Sequence, residues 1–123
     1  MIPDPEIESA ILDLSLTRTL RFDGALLEFL DADGNPVDVS TCDLLSQVRK
    51  GPKYPVILDL NPGHVAGHSN RVEIPPIECD ATTSLPDGKF RWDLVLIHPQ
   101  LGRLDPPVVV GSFDIGNNIS HPS

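Results

Sequence analysis

From Leu12 the chain alternates. Leu12, Leu14, Leu16, Leu20 and Phe22 take even positions, and Asp13, Ser15, Thr17, Thr19 and Arg21 take odd ones, with Arg18 as the charged exception. Such a period of two marks a strand with one face buried. Residues 12–22 therefore read as one long strand, or as two with a kink near Arg18. Gly24 ends it, and residues 26–30 form the next strand. The stretch "FLDADGNPVDVS" (residues 29–40) reads as strand, loop and strand: Asp33-Gly34 makes a tight turn, and Val37 and Val39 open the return.

The same grammar continues. In residues 41–49, Leu44, Ser46 and Val48 share one face, with Leu45 and Gln47 on the other. Residues 56–60 are a short apolar run closed by Asn61-Pro62-Gly63. "NPGHVAGHSN" is turn-rich and reads as an exposed loop, and residues 71–74 as a strand closed by Pro75-Pro76. Residues 81–85 suit a single helical turn. Phe90, Trp92, Leu94 and Leu96 then alternate with Lys89, Arg91, Asp93 and Val95, the pattern of a central strand. Residues 99–102 turn the chain, and residues 108–115 form the last strand. About seven short strands between turns, with no long amphipathic helix, predict an all-β antiparallel β-sandwich. The expected inward residues are Leu14, Leu16, Leu20, Leu27, Phe29, Val48, Ile57, Val72, Phe90, Trp92, Leu94 and Phe113. Burying each such large side chain stabilises by roughly 1.5–3 kcal/mol.

Composition sharpens this picture. The 123 residues suit one domain, and the 13 prolines leave little room for long helices. The division expected is an extended arm over residues 1–10, a sandwich over 11–116 and a flexible tail over 117–123. The arm either reaches a neighbouring subunit or frays. No apolar run approaches the ~20 residues of a membrane span. The acidic start "MIPDPEIESAILDL" lacks the basic region of a signal peptide, so the chain is expected to fold in a cytosol. With 18 acidic against 9 basic residues the formal net charge is −9, and Arg49-Lys50-Lys53 is the densest basic group in the sequence. Nucleic acid and anionic membrane are therefore expected to be poor partners.

Candidate chemistry is sparse. His64 and His68 have an i, i+4 spacing that binds metal on a helix, but Pro62, Gly63 and Gly67 argue for loop histidines instead. Asp31-Ala32-Asp33-Gly34-Asn35 resembles half a calcium loop. Without the closing Glu and flanking helices it reads as a turn, Gly34 taking positive φ. No nucleophile elbow or phosphate loop occurs, and His98 beside Pro99 reads as a strand terminator. The expectation is no catalytic residue, no cofactor and no metal. Cys42 and Cys79 form no CxxC pair. Two free thiols are the plainer reading, and a disulfide depends on their separation.

"LTRTLRF", "DADGNPVDVS", "LLSQVRK", "SLPDGKFRWDLVL" and "GSFDI", in that order, resemble a group of tailed-phage proteins. These carry an immunoglobulin-like domain similar to the N-terminal domain of phage baseplate upper proteins. The likeness spans roughly residues 14–115. It implies a single immunoglobulin-like sandwich in a non-catalytic virion protein made in the bacterial cytoplasm. It also implies an oligomer in the particle, held to other virion proteins of tail, baseplate or capsid. Asp33, Gly34 and Pro36 would shape the hairpin. Leu85, Gly88, Phe90, Trp92 and Asp93 would form the corner and central strand. The "NPGHVAGHSN" loop departs from the pattern. No fibre region follows Ile115, which favours a small tail or baseplate adaptor, or alternatively a head decoration or cement subunit. Trp92 follows both cysteines, so the antibody-type Cys–Trp–Cys order is absent, and Phe90 stands where a corner tyrosine would. A carbohydrate-binding module at the host surface would want more exposed aromatics than this chain has to offer.

Overall fold

The computed structural model describes residues 10–104 and 106–116. The expected arm, apart from Ala10, and the expected tail lie outside the described residues. The elements in chain order are β1 (Ala10–Ile11), β2 (Leu14–Thr17), β3 (Ala25–Glu28), β4 (Asp43–Arg49), β5 (Val56–Asp59), β6 (Gly63–Val65), β7 (His68–Ile74), α1 (Cys79–Thr82), β8 (Gly88–His98), β9 (Gly102–Arg103) and β10 (Val109–Gly116). The protein is all-β, in two sheets. The larger has the order β1-β10-β8-β4-β5, with β2 continuing β1 along β10 and β9 beside β8. The smaller is β3-β7-β6.

The strongest sequence pattern became the centre. β8 is antiparallel to both β10 and β4, so Trp92 lies between Gly111 and Val48, and Leu94 between Val109 and Ser46. Alternation puts Phe90, Trp92, Leu94 and Leu96 inside. Val95, on the other face beside Leu45, is fully buried as well. Ser46 is buried among them, its hydroxyl donating to the Asp93 carbonyl at 2.7 Å. β10 buries Val109, Gly111, Phe113 and Ile115, as its alternation predicts. Val72 and Ile74 of β7 join the same core, and the Phe22 ring meets Phe113 at 5.7 Å between centroids.

The first strand differs from expectation. Pairing breaks at Leu12-Asp13 and stops after Thr17, and both halves run parallel to β10, so the larger sheet is mixed rather than antiparallel. The chain turns over residues 18–20, where Thr19 takes a φ of +71°. It then crosses to Phe22, which bridges Ile77 beside the smaller sheet. Leu20, expected inside, is a turn residue and exposed; its carbonyl accepts from the buried Thr82 hydroxyl at 2.9 Å. Arg18, the charged exception, marks the corner and donates to the Leu85 carbonyl. The break has its own chemistry. The Trp92 indole N–H donates to the Leu12 carbonyl at 2.7 Å. A Cβ on Gly111 would lie 1.8 Å from that same oxygen. Asp13 Oδ1 accepts the Ser112 amide at 3.0 Å.

Two other expectations are corrected. Val37 and Val39 form no strand: the Val37 amide goes to Phe29 and the Val39 amide to Ser69, two different partners. "NPGHVAGHSN" is not a loop but the β6–β7 hairpin, turned at Ala66-Gly67.

Gly111→Ala is expected to cost about 3 kcal/mol, because the new methyl meets backbone. Trp92→Phe is expected to cost about 2–4 kcal/mol, from lost volume and the carbonyl deprived of its donor. Urea denaturation of both variants checks this; wild-type midpoints would disprove the lock. Asp13 has its pKa lowered, first by the Ser112 amide and then by the Ser112 hydroxyl. A depressed carboxylate adds stability above its unfolded value of 3.8 that is lost as pH falls through the lower folded value. Asp13→Ala should therefore flatten the acid limb of the stability–pH curve below about pH 4.

Candidate functional site

The turn residues assemble as a unit. Asp31 Oδ1 accepts the amides of Asp33 and Asn35, each at 2.9 Å, and the Asp31 amide donates to the Asn35 carbonyl. Gly34 has a φ of +84°, as the turn reading requires. Pro36 bridges Leu30 and closes a minimal hairpin. Asp31, rather than Asp33, organises the turn: the carboxylate that suggested half a calcium loop is spent on backbone amides.

The corner residues meet at the start of β8. Leu85 and Phe90 are buried, Gly88 opens the strand, and Trp92 is 2% exposed. Asp93 is half-buried on the opposite face. Of the described aromatic side chains, Tyr54 alone is well exposed, at 56%; Phe29 is half-buried and the others are in the core.

The histidines fall at two places. His64 and His68 line a shallow hollow of about 330 Å³ with Ser40, Val65, Gly67 and Ser69. His64 Nε2 donates to the Cys42 carbonyl at 2.8 Å, so that nitrogen carries its proton and offers no lone pair to a metal. No group of three or more His, Cys, Asp or Glu side chains is poised around a metal among the described residues. Near this hollow, Asp38 accepts the Ser40 hydroxyl and amide, which lower its pKa. His98 Nδ1 accepts the amides of Gln100 and Leu101 at 3.1 Å, capping the turn after β8. This matches its reading as a terminator. Cys42 is buried and Cys79 exposed, and both are free thiols. Burial, then the Asp38 and Asp43 carboxylates, push the Cys42 thiol up.

The face of the larger sheet turned from the core holds what sequence reading missed. Register sets Arg91 of β8 directly beside Arg49 of β4, and Asp93 beside Gln47. With Arg103 from β9 and Val110 from β10 they line a hollow of about 300 Å³. Besides its sequence neighbours Lys50 and Lys53, Arg49 therefore has Arg91 and Arg103 beside the same hollow. Arg49 and Arg91 lie far apart in the chain, and strand pairing alone unites them.

Edge strands carry exposed apolar side chains: Ile11 on β1, Leu26 on β3 and Val56 on β5, with Tyr54 just before it. Leu30 and Val37, in the turn region after β3, are exposed as well. Free strand edges and exposed apolar groups are the features through which sheet proteins meet partners. No helix among the described residues is long and apolar enough to cross a membrane. Compared with known proteins, the chain matches no family model and no curated protein.

A thiol reagent should label Cys79 at once and Cys42 only on unfolding. Mass spectrometry of the labelled native protein checks this: two fast labels would mean that the Cys42 site is open.

Proposed function

We propose that this chain is a non-catalytic structural subunit of a tailed-phage particle, an immunoglobulin-like β-sandwich serving as an adaptor at the tail or baseplate. The strand order carries the reading. Taking β1/β2 as A, β3 as B, β4 as C, β5 as C′, β6 as D, β7 as E, β8 as F and β10 as G, the sheets run G-F-C-C′ and B-E-D. That is the order of a variable-type immunoglobulin domain, with the first strand laid on the last. The Leu85–Trp92 stretch, on which the resemblance to baseplate proteins rests, enters strand F at the position of the corner motif. The core is held by packing, consistent with folding in a reducing cytoplasm before assembly.

The mechanism is docking. Copies meet one another and neighbouring virion proteins through Ile11, Leu26, Leu30, Val56 and Tyr54, exposed apolar side chains on or beside the edge strands β1, β3 and β5. Neither nucleic acid nor membrane is a partner in this reading, and no cofactor takes part. Quantitative mass spectrometry of purified particles tests it: the chain is expected as a component in fixed ratio to tail proteins. Presence in the infected-cell lysate but absence from particles would overturn the proposal. Immunogold label on the head would replace the tail placement with a decoration role.

A further inference from the structure

The chain holds the dipeptide Asp-Gly three times, at residues 23–24, 33–34 and 87–88. Such a pair is open to self-attack, because glycine puts no side chain in the way of its own amide nitrogen. All three glycines have positive φ, at +82°, +84° and +137°, yet the fold treats them differently. A Cβ on Gly24 would lie 2.2 Å from the Ile74 carbonyl oxygen and against the Pro75-Pro76 backbone, so that peptide is wedged beside β7. Asp23 is also paired with Arg21 at 3.2 Å. Gly88 opens β8, pairs with Ile115 and lies beside the buried Phe90 ring, and Asp87 has an interaction of its own. Around Gly34, by contrast, a Cβ would meet nothing within 4 Å. Asp33 is exposed, and the hydrogen bond described for it is made by its backbone amide, not its carboxylate.

We propose that Asp33 is the residue at which the folded chain converts aspartate to isoaspartate, and that the Asp31 carboxylate sets the rate by holding the turn closed. The Gly34 amide nitrogen loses its proton and attacks Asp33 Cγ; a C–N bond replaces a C–O bond and one water leaves. Water then opens the five-membered imide. Cleavage at the Asp33 main-chain carbonyl leaves the chain running through the β-carbon, with the former main-chain carboxyl as the side group. Atoms and charge are those of the starting peptide. Before the attack the Gly34 amide must leave the Asp31 carbonyl, to which it donates at 3.0 Å. Asp31 Oδ1 opposes this by holding the amides on either side, Asp33 and Asn35, at 2.9 Å. All these bonds lie within residues 31–35 at the surface, so the turn can open without the core. The product has one extra backbone carbon between the two amides that Asp31 holds, which ends the clamp. None of this depends on the phage assignment.

Purified full chain kept at neutral pH and body temperature tests it, with isoaspartate mapped by electron-transfer fragmentation. Native protein should gain isoaspartate at Asp33 and stay unchanged at Asp23 and Asp87, whereas the chain kept in urea should convert at all three. Asp31→Ala should convert several-fold faster at Asp33 than wild type; Asp31→Asn, which keeps an acceptor oxygen, should fall between them. Asp33→Glu should abolish the signal. Amide NMR of β8 and β10 reports whether each variant is folded. An unchanged Asp33 in the native chain would overturn the proposal, as would native conversion at Asp23 or Asp87 matching that at Asp33. A folded Asp31→Ala variant that converts at the wild-type rate would remove Asp31 from it.

Discussion

The hydrogen bond from the Trp92 indole to the Leu12 carbonyl decides how the first strand meets the rest of the molecule. An indole buried at 2% exposure needs an acceptor. An unbroken ladder along β10 would engage the first strand's carbonyls with backbone amides. The break between β1 and β2 directs one carbonyl inward, and Gly111 supplies the room for it. Asp13 then takes over the Ser112 amide that the break would leave without an acceptor. Two residues of the break, Leu12 and Asp13, and two of β10, Gly111 and Ser112, are thus tied to one side chain at the centre of β8.

Around that knot the structure follows from alternation. β4, β8 and β10 were legible because each buries one face along most of its length, and the period of two survives. The first strand misled because its alternation runs on through Arg18–Phe22 while the chain itself turns away. Leu20 keeps the phase of the pattern but has no sheet to lie on. Nothing local signals the break at Leu12, since its cause lies eighty residues away at Trp92. The β6–β7 hairpin was hidden by its turn: Ala66-Gly67 is a weak hairpin signal beside pairs such as Asn-Gly. The Asp31–Pro36 turn was legible because its chemistry is contained in six consecutive residues.

The interaction surfaces were less visible. Exposed apolar edge residues cannot be told from core residues by type, so Leu26 and Val56 were identifiable as strand positions and not as surface. The arginine face depends on register, a property of pairs of strands. Arg49 in a strand of mixed polarity and Arg91 between Phe90 and Trp92 each read as an ordinary solvated position. Together with Arg103 they line one hollow on the outer face of the larger sheet.

The irregularities at the borders of the larger sheet bear on a different hazard. On one border the break leaves pieces of two and four residues. On the other, β5 has four residues, and its pairing with β4 is bulged at Val48/Arg49. A foreign strand looking for a template therefore finds only short, discontinuous rows of backbone donors and acceptors. Among the described residues the sheet stays open at both margins, yet it is poorly suited to seeding runaway β-polymerisation at high concentration, and the same kink that seats the indole serves as a guard against fibres.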